Sequence, residues 1–277
     1  MRLGGRTRCG RCGAATTDPV PGERELERAY AGYRPASGRF AGPGDWLLRR
    51  TRSLLARRLD RIAPAGPILD VGAGDGALLD ALRARGRSAV GLERETSRPD
   101  VRNAEITGIE GAWAAVVFWH SLEHLRGAGR ALEHATRILA PQGLLVIAMP
   151  NSDSLQARVF GDRWLALDIP RHLVHLPAPT LIEALRGEGM RVERVSHVRG
   201  GQAVFGWLHG MVGSLPGGID LYDAIRRPEA RRQPIARGRR RAALAAAALL
   251  LPIAVTCAAL EAALRRGGSV YVEARLV

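Results

Sequence analysis

The segment Ile68–Glu93, ILDVGAGDGALLDALRARGRSAVGLE, constrains this chain more than any other. Ile68, Leu69 and Val71 form an apolar, β-prone run behind Pro64 and Pro67, as a buried parallel strand requires. Gly72, Gly74 and Gly76 follow at alternate positions. Glycine there lets the chain turn sharply and lets a ligand approach the backbone without a Cβ in the way. A helix is expected from about Asp75, with Leu78, Leu79 and Leu82 as its packing stripe and Gly86 as its stop. Ser88–Leu92 reads as a second strand with Glu93 at its carboxyl end. An acid at that point accepts both hydroxyls of a ribose. The segment is therefore half of a nucleoside-holding α/β unit.

Two ligand classes compete for such a loop. Gly72-x-Gly74-x-x-Ala77 also satisfies the dinucleotide fingerprint in its G/A form. A pyrophosphate, however, favours a helix N-terminus free of negative charge, and Asp70 and Asp75 bracket this loop. A sulfonium cofactor with an amino-acid tail carries no phosphate and brings a cationic amine. Asp70 two residues before the first glycine, Gly72-x-Gly74-x-Gly76, and an acid ending the next strand together resemble the class I S-adenosylmethionine (SAM) methyltransferases. The resemblance implies a Rossmann-like α/β sheet with an antiparallel final strand. It implies SAM as cofactor, held by Asp70, Gly72, Gly74, Asp75, Gly76 and Glu93.

The remainder of the chain extends this unit. Residues 1–22 are polar and glycine-rich and are expected to be a flexible tail. Cys9-Gly-Arg-Cys12 has the spacing of half a zinc knuckle, but no Cys or His follows before His120 to complete it. No metal site is assigned. The N-terminus lacks the apolar stretch of a secretory signal, and three cysteines do not make a disulfide framework, so a cytoplasmic setting is expected. Residues 23–63 read as a helical cap, with Tyr30, Tyr33 and Trp46 as candidate lid aromatics. Residues 64–198 read as the SAM-binding core.

Within that core Val101–Ile106 is the candidate third strand, and the connection Arg94–Trp113 barely admits a helix. The family places an acid after that strand against the adenine amine. Glu105, Thr107 and Glu110 are the candidates here. Ala114–His120 is the fourth strand; it ends in the crevice where open α/β sheets bind ligands, and Trp119 borders the cofactor there. His120, Glu123 and His124 follow, two imidazoles and a carboxylate where the acceptor should lie. Either histidine suits a general base with its pKa near the working pH. The family's usual aspartate opening this strand is replaced by Ala114-Ala115. Ala140–Gly143 reads as a turn and Gly143–Pro150 as the fifth strand.

The phrases WHSLEHL, PN and Trp164-x-x-x-Asp168-x-Pro170-Arg171-His172 resemble one bacterial subfamily, akin to the O-methyltransferases of quinone biosynthesis. That resemblance covers roughly residues 45–200. It implies a small or lipid-like acceptor methylated at oxygen, with Trp164, Arg171, His172 and His175 on the acceptor side. It also implies an alternative in which Glu123 and His124 help hold a divalent metal that orients an oxygen acceptor.

Residues 199–268 form an insertion before the final strand, 269–277. Within it Ala242–Leu260 is uncharged, with seven Leu, Ile and Val among many alanines, and arginines flank it at 237, 239, 240, 241, 265 and 266. The run is long enough to span a bilayer, but its alanine content, Pro252 and Glu261 weigh against a span. A buried helix, a homodimer seam and peripheral membrane contact through residues 200–266, on the inner face, all fit.

Net charge is +14. The chain has no lysine, however, so the charge follows a coding bias toward arginine and is discounted as a sign of nucleic acid. Nucleic acid is not the expected partner. An RNA methyltransferase and a non-catalytic protein of the same fold remain the alternatives.

Overall fold

The computed structural model describes residues 5–31, 40, 44–198, 201–228, 231 and 233–276. Tyr33, the middle of the helical stretch expected over 23–63, and the start of the insertion at 199–200 lie outside the described residues. The chain opens with β1 (Arg6–Arg8), β2 (Ala15–Thr17), α1 (Glu23–Ala31) and α2 (Gly44–Ile62). Next come β3 (Ile68–Val71), α3 (Ala77–Arg83), β4 (Ala89–Glu93), β5 (Val101–Asn103), β6 (Trp113–Trp119), α4 (Ala128–Arg137) and β7 (Leu139–Pro150). Then follow α5 (Leu155–Phe160), β8 (Val174–His175), α6 (Ala178–Gly187) and β9 (Met190–Ser196). The chain finishes with α7 (Gly201–Ser214), α8 (Leu221–Ile225), α9 (Arg237–Ala263) and β10 (Ser269–Leu276).

Two compact units result. The first comprises Pro43–Met149, Pro179–Val195 and Tyr271–Val277. It is built on a mixed seven-stranded sheet in the order β5-β4-β3-β6-β7-β10-β9. β3 pairs in parallel with β4 and with β6, so the strand order reverses between β3 and β6. That reversal opens a crevice at the strands' carboxyl ends. The central strands are apolar on both faces: Ala114–Phe118 and Leu144–Ala148 are completely buried. α2 covers one face with Leu55, Ala56 and Leu59. It is clamped there by Arg58, which donates to both oxygens of buried Glu273 on β10.

Two details differ from the sequence reading. β5 stops at Asn103, and among the described residues only a 3-10 turn, Ile106–Gly108, links it to β6. β7 begins at Leu139, opposite Trp113, and absorbs Ala140–Gly143 as an irregularity within the strand where a turn was expected. Gln142 there has φ 61, and a Cβ on Gly143 would lie 2.7 Å from the Ala140 carbonyl oxygen, so the kink demands glycine.

The second unit comprises Met1–Gly42, Pro150–Ala178 and Ser196–Val270. The expected flexible tail is instead a hairpin. β1 pairs with β2, and β2 pairs with β8, all antiparallel. Thr17 ties the hairpin down, its Oγ1 donating to the His172 carbonyl at 2.6 Å. Strands of three residues are not stable alone, so their partner from far along the chain makes them. The insertion folds as α7, α8 and α9. α9 is one continuous helix of 27 residues that contains Pro252. It is not a buried helix, since it buries only Ala243, Ala254, Ala258 and Glu261. Trp207 of α7 packs on Ala254 and Ala258, and Leu221 and Ala224 of α8 on Ala243. The Glu261 carboxylate accepts from Gln156 Nε2, Trp207 Nε1 and the Gly268 N–H.

Candidate active site

The glycine loop stands at the carboxyl end of β3, beside the reversal. Gly72, Gly74 and Gly76 all have positive φ, at 81, 58 and 75 degrees. Their surroundings differ. A Cβ on Gly72 would lie 2.4 Å from Ser121 Cβ, and one on Gly76 would strike the Arg98 guanidinium. A Cβ on Gly74 would meet nothing within 4 Å. Gly72 and Gly76 therefore serve packing, and Gly74 borders open space.

Asp70 points into this region from inside β3. It is 3% exposed, and its Oδ1 is buried without a hydrogen-bond partner. Burial pushes its pKa up to about 7; the Glu93 and Asp75 carboxylates add to the rise, and Arg52 opposes it. A buried carboxylate in this state is completed by a cationic ligand group. Glu93 ends β4 and accepts from the Gly74 N–H at 2.8 Å and the Arg94 N–H at 2.9 Å. Each of its oxygens retains a lone pair for a further donor. Asp75 is exposed, and its Oδ1 accepts from the Ala77 N–H at the start of α3. That carboxylate occupies the position a pyrophosphate would need. Glu105 is exposed beyond β5, before the 3-10 turn.

Two residues not singled out in the sequence complete the loop. Arg98 donates to the Asp75 carbonyl and to both oxygens of Asp80, bracing the loop from β4's far side. Ser121 donates to the Val71 carbonyl and faces Gly72. Neither stands near the glycines in sequence, so spacing alone does not flag them.

β6 delivers the other side. Trp119 is half-buried, with its ring edge-on to Tyr271 and 4.8 Å from the Arg52 guanidinium carbon. His120 follows with φ 55, a left-handed conformation seldom found without a reason in a residue other than glycine. Its Nδ1 lies 3.5 Å from an oxygen of Glu123, which is 1% exposed. His124 is half-buried at the end of a 3-10 turn, Leu122–His124, that follows β6. His120, Glu123 and His124 are thus gathered after β6, as expected.

The residues expected on the acceptor side gather in the second unit. Trp164, Arg171, His172 and His175 are all buried. Arg171 makes a bidentate pair with Asp168, His172 Nδ1 lies 2.8 Å from the Ala166 carbonyl oxygen, and His175 Nε2 lies 3.1 Å from Thr17 Oγ1. These bonds fix the 164–175 segment. Trp164 and Asp168, with His209 and Asp220, line a cleft of about 460 Å³ within that unit. Cys9 and Cys12 are exposed free thiols, and the N–H groups of Cys12 and Arg11 hold the Cys9 thiol below its usual pKa.

The sheet order and the loop define the class: a class I methyltransferase that uses SAM. Buried Asp70 suits the cofactor's ammonium, Glu93 its ribose, and Gly74 leaves the room. A family model described as "Methyltransferase domain" matches residues 45–195, and the chain belongs to that family. No curated protein matches the chain.

Solved structures share the fold. The [4+2]-cyclase SpnF is 19% identical with a TM-score of 0.50, covering 92% of this chain and 96% of its own. A putative methyltransferase from Haloferax volcanii, solved with the Trm112 methyltransferase activator, is 13% identical with a TM-score of 0.51, covering 91% and 97%.

Proposed function

We propose that this enzyme moves a methyl group to an oxygen of a small or lipid-like acceptor, as the quinone-biosynthesis O-methyltransferases it resembles do. SAM supplies an electrophilic sulfonium methyl. The chain's residues hold the donor: Asp70 faces the ammonium, Glu93 takes the ribose hydroxyls, and Glu105 and Trp119 border the adenine. Gly72, Gly74 and Gly76 keep the loop open, and Asp75 excludes phosphate from the start of α3.

The observation that carries the acceptor chemistry is His120, held with left-handed φ beside buried Glu123. The Glu123 carboxylate, 3.5 Å from Nδ1, would stabilise the imidazolium formed as His120 takes the proton from an acceptor hydroxyl. His124 is the neighbouring alternative base. Trp164, Arg171, His172 and His175 fix and line the acceptor side. The sparse, odd cysteine count supports a cytoplasmic setting.

The test is methyl-labelled SAM incubated with the protein and a cell extract, with products resolved by solvent partition. Label in an organic-soluble or small-molecule oxygen ether supports the reading. Label in RNA replaces the acceptor class. SAM binding without any labelled product overturns methyl transfer. His120→Ala should lose product while calorimetric SAM binding is retained; full activity in that variant sinks the base assignment.

A further inference from the structure

α9 reverses the usual order of a water-facing helix. Leu249, Ile253, Leu260 and Leu264 recur at spacings of four, seven and four and lie on one face. That face is open: Leu249 is 80% exposed, Ile253 53% and Leu260 54%. The opposite face, against α7 and α8, carries the small residues Ala243, Ala254 and Ala258, with Glu261 buried and hydrogen-bonded to Gln156 and Trp207. A helix on a soluble surface turns polar groups outward. Here most of the large aliphatic groups point out, and the inward face is chiefly alanine with the partly buried Leu244 and Leu250, as in helices whose outer solvent is lipid. The helix is also long and apolar enough to cross a membrane, with mean hydropathy 2.3 over its most apolar window and 17% of that window buried.

Charge identifies the occupant. Four arginines, at 237, 239, 240 and 241, crowd the first turns of α9, and no acid accompanies them. The N-terminal end of a helix is already positive, so cations there are disfavoured unless an anion is supplied. Ala236 at the N-cap provides no side-chain acceptor. Arg265 stands exposed just past the other end. Both ends are therefore cationic. A second copy pairing along α9, parallel or antiparallel, would bring arginine against arginine. Lipid phosphates satisfy the same groups, and arginine's planar fork binds phosphate oxygens in pairs.

Orientation follows from α8. Its residues Leu221 and Ala224 pack beside Ala243, and Arg240 donates to the Ala224 carbonyl. α8 thus marks the interfacial end of α9, and a transverse α9 would carry α7, packed on its middle through Trp207, into hydrocarbon together with His209.

We propose that α9 is a membrane-docking helix. It lies in the interfacial plane of an anionic bilayer, with its aliphatic face in the acyl boundary and its terminal arginines on lipid phosphates. The inference stands whether or not the acceptor is a lipid.

The experiment is flotation of the full chain with vesicles of phosphatidylcholine alone or mixed with phosphatidylglycerol. Wild-type protein should float with the mixed vesicles and at least about tenfold less with phosphatidylcholine alone. Two exposed-site variants, Leu249→Gln/Ile253→Gln/Leu260→Gln and Arg237→Gln/Arg241→Gln/Arg265→Gln, should each lose flotation by about tenfold or more. Both should keep their melting temperature and their SAM affinity by calorimetry, which reports the donor site separately. Wild-type protein that stays unbound to mixed vesicles overturns the proposal. So does an aliphatic-face variant that floats like wild type. A wild-type dimer that the same variant dissociates, without any flotation, assigns the face to a second copy instead.

Discussion

At the scale of single residues Asp70 carries an imbalance that weakens the cofactor-free fold. The group is neutral in folded and unfolded chains alike below its ordinary pKa of 3.8, so it costs nothing there. As pH rises toward 7 the unfolded chain ionises freely while the folded chain must bury a charge, a penalty of at most about 4 kcal/mol. Asp70→Asn should therefore raise the melting temperature of the cofactor-free protein at pH 8 and leave it unchanged near pH 3. The same variant should weaken SAM binding by roughly tenfold or more, because the ammonium loses its carboxylate. In the wild type, SAM affinity by calorimetry should fall as pH drops below about 7, where Asp70 takes up a proton.

The glycines offer a second contrast. Gly72→Ala combines positive φ with a clash on Ser121 and should cost about 3 kcal/mol or more, read as a large drop in melting temperature. Gly74→Ala meets no neighbour and should cost only about 1 kcal/mol, yet it should abolish SAM binding because the methyl group fills the open space.

Among elements, α9 shows how one charge can anchor an apolar helix. In the sequence Glu261 counted against a membrane span, as a lone acid at the end of an uncharged run. In the fold it is fully buried and bonded to Gln156, Trp207 and Gly268, with burial pushing its pKa up. Glu261→Leu makes the helix more apolar but strands the Trp207 and Gly268 N–H groups, at about 1–3 kcal/mol each. Thermal denaturation should show lower stability; a gain would refute the anchoring role.

The βαβ unit from β3 to β4 was legible because glycine spacing and helical periodicity are local signals. The place of His120, Glu123 and His124 just past β6 was legible for the same reason, since the strand's apolar run names its own carboxyl end. β1 and β2 were not. Their three-residue strands exist through pairing with β8, far along the chain. Ser121 and Arg98 escaped notice because their partners Val71 and Asp75 lie 50 and 23 residues away. The exposed face of α9 was legible as composition only; that its large side chains turn outward is a property of packing against α7 and α8.

For the molecule as a whole, the sheet depends on a strand that follows the insertion. β10 lies between β7 and β9 in the sheet, and β9 has no other neighbour there among the described residues. Removing residues 269–277 leaves two bare strand edges, which recruit other chains. That truncation should express as aggregated protein by light scattering, and a soluble monomer would contradict the topology.

The same arrangement sets an order in time. During synthesis α9 leaves the ribosome before β10, while β9 still lacks its partner and the sheet is one strand short. Domains emerging from the ribosome fold as their segments appear, and pairings between distant segments wait for the later one. If α9 docks on a bilayer as proposed, that docking and the closing of the sheet are joined through one short stretch of chain, since Glu261 near the end of α9 accepts from the Gly268 N–H just ahead of β10.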